Sequence, residues 1–269
     1  MKKLKNLFRV GIFHTVPKKL GVGIEILGLV FFLLLWTVIS HFEILPHSMF
    51  PTPLSVIKSI PELHYEDALI RNAAFSIQLN FYGYLEAILI TIPLGFLISL
   101  IPFFRHLLNK YVDAIRFIPL TACTGLFIAW FGIETDMKVH FLSFGIIVYL
   151  LPVIIQRINE TEKVHVDTIW TLGANNWQTF RYVYWPASIS KISDDIRVIV
   201  AISWTYIIIA EMVNNTGGIG SLIYIAGRQS RIDKVFAILI IIILIGFLQD
   251  KLFKYIDKKI FKFKYATKK

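Results

Sequence analysis

The chain has 269 residues, 56% of them hydrophobic and only 17% charged, with a mean hydropathy of +0.64. Soluble domains run about 45–50% apolar and about 25% charged, so an ordinary soluble fold is excluded and an integral membrane protein is expected. The net charge of +10 does not mark a nucleic-acid partner, because the basic residues lie between apolar stretches and read as topology signals.

In chain order, residues 1–20 form a basic head, and 21–40 an apolar stretch of the ~20 residues that a bilayer crossing needs. No small-residue cleavage site follows, so this is expected to be a retained helix. Residues 41–74 form a proline-punctuated outer segment with a short amphipathic helix near 54–65. A permease-like core is expected over 75–249. Its second span, 75–101, carries Gln78, Asn80 and Glu86 together with Pro93 and Gly95. A short basic loop, 102–116, leads to a third span at 117–133, and the loop from Glu134 to Lys138 to a fourth at 139–158. The fifth span is 196–213, a glycine-rich outer segment occupies 214–233, and the sixth span is 234–249. Residues 250–269 are a basic tail. The expected fold is therefore an all-α membrane protein of about six transmembrane helices.

Between spans four and five lies the most informative stretch, residues 159–190. Glu160, Glu162, Lys163, Asp167 and Arg181 prevent it from crossing a membrane, since a central charge costs roughly 2.5–3.5 kcal/mol on insertion scales. It is too rich in Trp, Tyr, Ile and Val to be disordered. Val166, Ile169, Trp170 and Gly173 recur at helical spacing, and Gly173 is placed to turn the chain. Asn175 or Asn176 can cap a second short helix, on which Trp177, Phe180, Arg181 and Tyr184 share a face. Pro186 is expected to end that helix. The product is a helix–turn–helix with an aromatic and basic face, either a docking element or an amphipathic loop resting on headgroups. Most of the 28 Lys and Arg residues fall in the head, the 102–116 loop, this loop and the tail, so the positive-inside rule puts both termini and the loop in the cytoplasm.

With spacing in hand, the loop resembles the cytoplasmic motif of bacterial ATP-binding cassette (ABC) importer permeases, written E-A-A, three residues, G, nine residues, I-x-L-P. Gly173 and Pro186 stand at the matching positions; Asp167, Thr168 and Ile169 replace Glu-Ala-Ala, Val183 replaces Ile and Trp185 replaces Leu. The segments LPHSMFPTPLSVIKS, ITIPLGFLISL, IRFIPLTACTGLFIAWFGI, LGANNWQTFRYVYWPAS and AEMVNNTGGIGSLIYIA follow the order of the nitrate/sulfonate/taurine/bicarbonate branch. The resemblance implies a type I (MetI-like) importer permease in the bacterial inner membrane. It implies four partners: a cytosolic ATP-binding cassette subunit, a periplasmic or lipid-anchored substrate-binding protein, a second permease copy and the bilayer. The helix after Gly173 becomes the coupling helix, and the coupling set is Asp167, Gly173, Ala174, Asn176, Trp177, Arg181 and Pro186. The implied cargo is a small anion or small organic solute such as a sulfonate, taurine, nitrate, bicarbonate or a vitamin precursor.

Pore or gating candidates are Glu86, Asn80, Glu211 and Gly218. An intramembrane carboxylate is a functional-site candidate by default, and Glu86 in the path would disfavour a plain inorganic anion. The rival is an ion-coupled secondary transporter working through Glu86, though no duplicated halves are visible. The single cysteine, Cys123, rules out an internal disulfide. The seven histidines show no pair at metal-ligand spacing, and no phosphate loop, G-x-S-x-G or H-E-x-x-H is present. No catalytic residue, metal or cofactor is expected, with ATP hydrolysis on a partner subunit.

Overall fold

A computed structural model describes residues 17–213 and 216–266, and the head expected over residues 1–20 lies largely outside them. All regular structure among the described residues is helical. Among the described residues five helices are long and apolar enough to cross a membrane, or six if one bent pair is counted as a span.

The first helix, α1 (Lys18–His41), is 24 residues, about 36 Å at 1.5 Å per residue, and exceeds the ~30 Å hydrocarbon core. It lies at the edge, held where the Trp36 indole donates to the Pro51 carbonyl (2.9 Å) and packs on Phe236. α2 (Pro53–Tyr65) is the expected amphipathic helix: Thr52 caps it, and Val56, Ser59 and Leu63 form its buried face. α3 (Leu69–Leu100) begins six residues earlier than the apolar stretch suggests.

The expected third span is preceded by a second helix set at a steep angle to it. α4 (Pro102–Ile115) occupies what looked like a basic loop. After it come a 3₁₀ turn (Leu120–Cys123) and the short α5 (Thr124–Phe131), and the two halves bend by 97°. The break falls at Ile118–Pro119, where proline has no N–H to give and drives its predecessor out of the helical region. The eight residues of α5 reach only ~12 Å, too short to cross alone. α6 (Thr135–Asn159) starts inside the expected outer loop, so Lys138 is a buried helical residue rather than a loop residue.

After α6 come α7 (Lys163–Thr171), α8 (Asn176–Thr179), a π-helical turn (Phe180–Tyr184) and α9 (Trp185–Val213). Pro186 does not end the helix. The wider turn just before it absorbs the missing N–H and the ring, and a helical rod of 38 residues runs unbroken from Asn176 to Val213. α10 (Ile219–Arg228), α11 (Ile232–Ile260) and α12 (Lys262–Ala266) follow.

The core is α3, α6 and α9. Leu142, Ile146, Leu150, Ile154 and Ile158 recur every fourth residue on α6 and are all buried. Facing them, α3 offers Gly83, Ala87, Thr91 and Gly95 at the same interval, a small-residue groove that receives the large ridge. Such close approach suits hydrocarbon, where packing rather than water exclusion drives helix association. Ionic clusters hold both ends. On the face away from the 159–190 loop, Lys234 meets Asp67 (2.7 Å) and Arg231 meets Glu62 (2.7 Å), tying α11 to α2 and the α2–α3 turn. On the loop face, Lys264 bonds Asp194 (2.7 Å) and Asp257 (3.1 Å), folding α12 back against α9. Asp194, Asp195 and Arg197, all within α9, are thus all paired.

A Cβ at Gly95 would lie 2.4 Å from Ile154 Cγ2 and 3.2 Å from its Cβ, which a β-branched side chain cannot vacate. Gly95→Leu is expected to push α3 from α6 and lower stability by about 1–3 kcal/mol, read as an earlier melting midpoint in detergent. An unchanged midpoint would contradict this packing.

Candidate functional site

The 159–190 loop is a rigid knuckle. α7 closes in a Schellman arrangement: the Ala174 N–H donates to the Ile169 carbonyl (3.2 Å) and the Gly173 N–H to the Trp170 carbonyl (2.9 Å). Gly173 makes this possible at φ +81°, where a side chain would strain the backbone. Asn175 caps α8 in a reciprocal box with Gln178, at 2.9 Å and 2.8 Å. The Trp170 indole N–H donates across the turn to Thr179 Oγ1 (3.0 Å), locking α7 to α8. Asp167 and Asn176 are exposed on α7 and α8, and Pro186 is exposed just past the π turn.

Trp177 and Arg181 point outward one turn apart, beside the exposed Tyr182. Phe180 and Tyr184, expected on that same face, turn inward instead. Phe180 meets Phe96 edge-on at 5.2 Å, Trp185 stacks on Phe96 at 5.5 Å, and Tyr184 packs on the core. The π turn takes Tyr184 off the ordinary helical register, and sequence spacing could not show that. The knuckle's base is clamped by Arg157 on α6, which forks onto Asp195 of α9 (2.6 and 2.9 Å) and reaches Glu160 (3.1 Å). Hydrogen bonding from Arg157 holds the Glu160 carboxyl below its usual range.

At the far end of the same rod sits Glu211, with no exposed surface. Its carboxylate accepts from Ser76 Oγ (2.6 Å) and from the Gly220 N–H (2.8 Å). Ser76 Oγ accepts in turn from the Ile219 N–H, and Asn72 Oδ1 from the Gly218 N–H, both at 2.8 Å. The carboxylate thereby anchors the N-terminus of α10, where free backbone N–H groups favour an anion. Lys138, also fully buried, lies within electrostatic reach of Glu211 and donates to Thr216 Oγ1 (2.8 Å). Gly217 and Gly218 hold φ +118° and +99°; a Cβ on Gly218 would fall 2.2 Å from the Glu211 carboxyl. Residues 214–215 of the glycine-rich segment lie outside the described residues.

Asn80 is buried and pairs with Ser203 of α9 (3.0 Å), tying two helices within this chain. Glu86 is half-buried, with both carboxylate oxygens 3.0 Å from His140 Nδ1. The sequence does not single out His140, Ser76 or Asn72, and it offers Lys138 only as a loop residue. His140 could have been flagged as a titratable residue inside a span. The Ser76–Asn72 contribution needs the fold, because nothing in the sequence pairs residues 72–76 with 211–220.

Residues 87–262 match the family described as the binding-protein-dependent transport system inner membrane component. The chain belongs to that family. A Methanocaldococcus jannaschii ABC transporter permease is 34% identical over 72% of this chain and 73% of its own. The aliphatic sulfonates transport permease SsuC of Bacillus subtilis is 27% identical, covering 86% of this chain and 83% of its own. The Escherichia coli taurine transport system permease TauC is 23% identical, covering 87% of both chains. Among solved structures, the fold resembles the MetNI methionine ABC transporter in its inward-facing conformations (TM-score 0.60, 15% identity, 71% of this chain and 95% of that one). It also resembles a bacterial ABC transporter involved in alginate import (TM-score 0.61, 18% identity, 90% and 99%). The chain is thus an ABC importer permease of MetI type, a multi-pass protein of the bacterial inner membrane.

The permease's glycine turn makes a sharp demand. Gly218→Ala places a Cβ in the Glu211 carboxyl at a backbone angle reserved for glycine, and is expected to cost on the order of 1–3 kcal/mol. Gly227→Ala, with nothing within 4 Å, is the matched control and is expected to melt like the parent. Equal melting of both variants in detergent would refute the close approach.

Proposed function

We propose that this permease is the translocation subunit of an ATP-driven importer. A separate ATP-binding cassette subunit docks on the 159–190 loop at the cytoplasmic side. A second copy of the chain completes the path, and a periplasmic or lipid-anchored binding protein delivers cargo to the opposite face. The observation that carries this reading is the helical rod from Asn176 to Val213, which joins the exposed Trp177 and Arg181 to the buried Glu211. A closing ATPase dimer would move α8, and α8 cannot shift without moving α9. The Arg157 fork passes the same displacement to α6. At the outer end, Glu211 would carry it into the α10 turn, so that ATP binding at one face biases the opening at the other. The partner's nucleotide supplies the differential affinity between states, and the rod transmits it. Asp167 and Asn176, exposed beside the knuckle, complete the docking surface. The relatives named for sulfonates and taurine support a small organic solute as cargo.

With the complex purified in mild detergent, Trp177→Ala combined with Arg181→Ala is expected to cut recovery of the nucleotide-binding subunit roughly tenfold, since Trp and Arg dominate interface energetics. Both side chains are exposed, so helical content and melting should stay at parental values. Undiminished recovery, or a parent chain that brings no ATPase with it, would sink this reading.

A further inference from the structure

Resting on the importer reading, we propose that a polar strip on α3, joined by His140 of α6, lines the aqueous route and selects cargo bearing a positively charged or N–H-donating group.

The exposed surface of α3 divides into two strips. Ile77, Phe81, Leu85 and Leu89 recur every fourth residue and are all exposed and apolar. One position round the helix, Gln78, Tyr82 and Glu86 recur at the same interval and are all at least partly exposed. The polar strip is connected: Gln78 Nε2 donates to the Tyr82 hydroxyl (3.5 Å), and Glu86 faces His140 Nδ1 at 3.0 Å. The His140 ring lies 4.5 Å from Phe131 of α5, itself partly exposed, so an aromatic plane adjoins the carboxylate. The side chains of Glu86 and His140 keep 32% and 38% exposure.

Hydrocarbon can solvate the first strip and not the second. A carboxylate, an imidazole and an amide left on a membrane-embedded surface must face water or protein, because lipid offers them no hydrogen bond. The buried face of α3 already packs on α6 and α9, so the polar strip is left for the path. Within the strip the fixed charge is the Glu86 carboxylate, tempered by His140; the charge nearest along the helix, Arg71, lies two turns outward from Gln78. A solute with an amine would find a carboxylate acceptor, a phenol and a ring face for its cation. A purely anionic solute would meet like charge. Among organic solutes of sulfonate size, this favours amine-bearing zwitterions over simple anions.

Cysteine labelling of the assembled complex in lipid vesicles tests this on a Cys123→Ser background. The probes are two membrane-impermeant thiosulfonates, one carrying a trimethylammonium group and one a sulfonate. Tyr82→Cys is expected to react about tenfold faster than its neighbour Phe81→Cys. Its preference for the cationic probe should exceed by about tenfold that of a small thiol free in solution, and Glu86→Gln should remove the excess. Gln78→Cys serves as a second reporter should Tyr82→Cys assemble poorly. Equal labelling of the two strips, or no excess preference, overturns the proposal. If the ATPase subunit is still recovered with the variant, the importer reading stands when the strip fails; loss of the ATPase from the parent complex brings down both.

Discussion

One relaxation of helical geometry keeps the loop at one end of this protein and the glycine turn at the other on a single helix. The π turn at Phe180–Tyr184 lets a helix run through Pro186 without a break. A helix that stopped there would leave the knuckle hinged to the span by a flexible joint, and displacement at the knuckle would dissipate in the joint. A continuous rod of 38 residues, about 57 Å long, carries Trp177 near one end and Glu211 near the other. Packing of Phe180, Tyr184 and Trp185 against the core, with Phe96 at its centre, seats the rod where it enters the bundle.

Hydrocarbon accounts for most of what surrounds that rod. A buried polar group is costly there without a partner inside the protein, and the network at Glu211 shows how completely partners can be supplied. Its two carboxylate oxygens, the Ser76 hydroxyl, the Asn72 amide and three backbone N–H groups of the glycine turn satisfy one another. Glycine at 218 and 220 is a consequence of that closeness, since a Cβ at 218 would meet the Glu211 carboxyl and one at 220 the Ile208 carbonyl oxygen. The small-residue groove on α3 follows from the same constraint: where apolar contact offers no solvent gain, helices are held by approaching closely. Charges are admitted at the ends, as in the Arg157 fork and the Lys234 and Lys264 clusters, where α2, the loop and α12 are pinned.

Several features were legible in the chain because they depend on neighbours in sequence. The amphipathic α2, the turn at Gly173 and the capping by Asn175 all follow from local rules of periodicity and backbone conformation. Features that depend on how one helix meets another were misread. A basic loop is expected at 102–116, but 102–115 is itself a helix and meets 120–131 at 97°. Phe180 and Tyr184 are expected outward with Trp177 and Arg181, but Phe180 packs on Phe96 and Tyr184 on the core. Lys138 was given to a loop, because its hydrogen bond to Thr216 is invisible until the chain is folded.

By itself, the sequence determined that this chain lives in a membrane, roughly where its helices lie, and that a polar knuckle interrupts them, because composition, periodicity and turn chemistry are local properties. Only the tertiary structure decided what Glu86, Asn80 and Glu211 touch: His140 at a half-exposed surface, Ser203 inside the bundle, and a glycine turn at the far end. Three polar residues in apolar helices read alike along the chain. Their surroundings differ because partners up to 135 residues away are brought to them, and only folding sets that distance to a hydrogen bond.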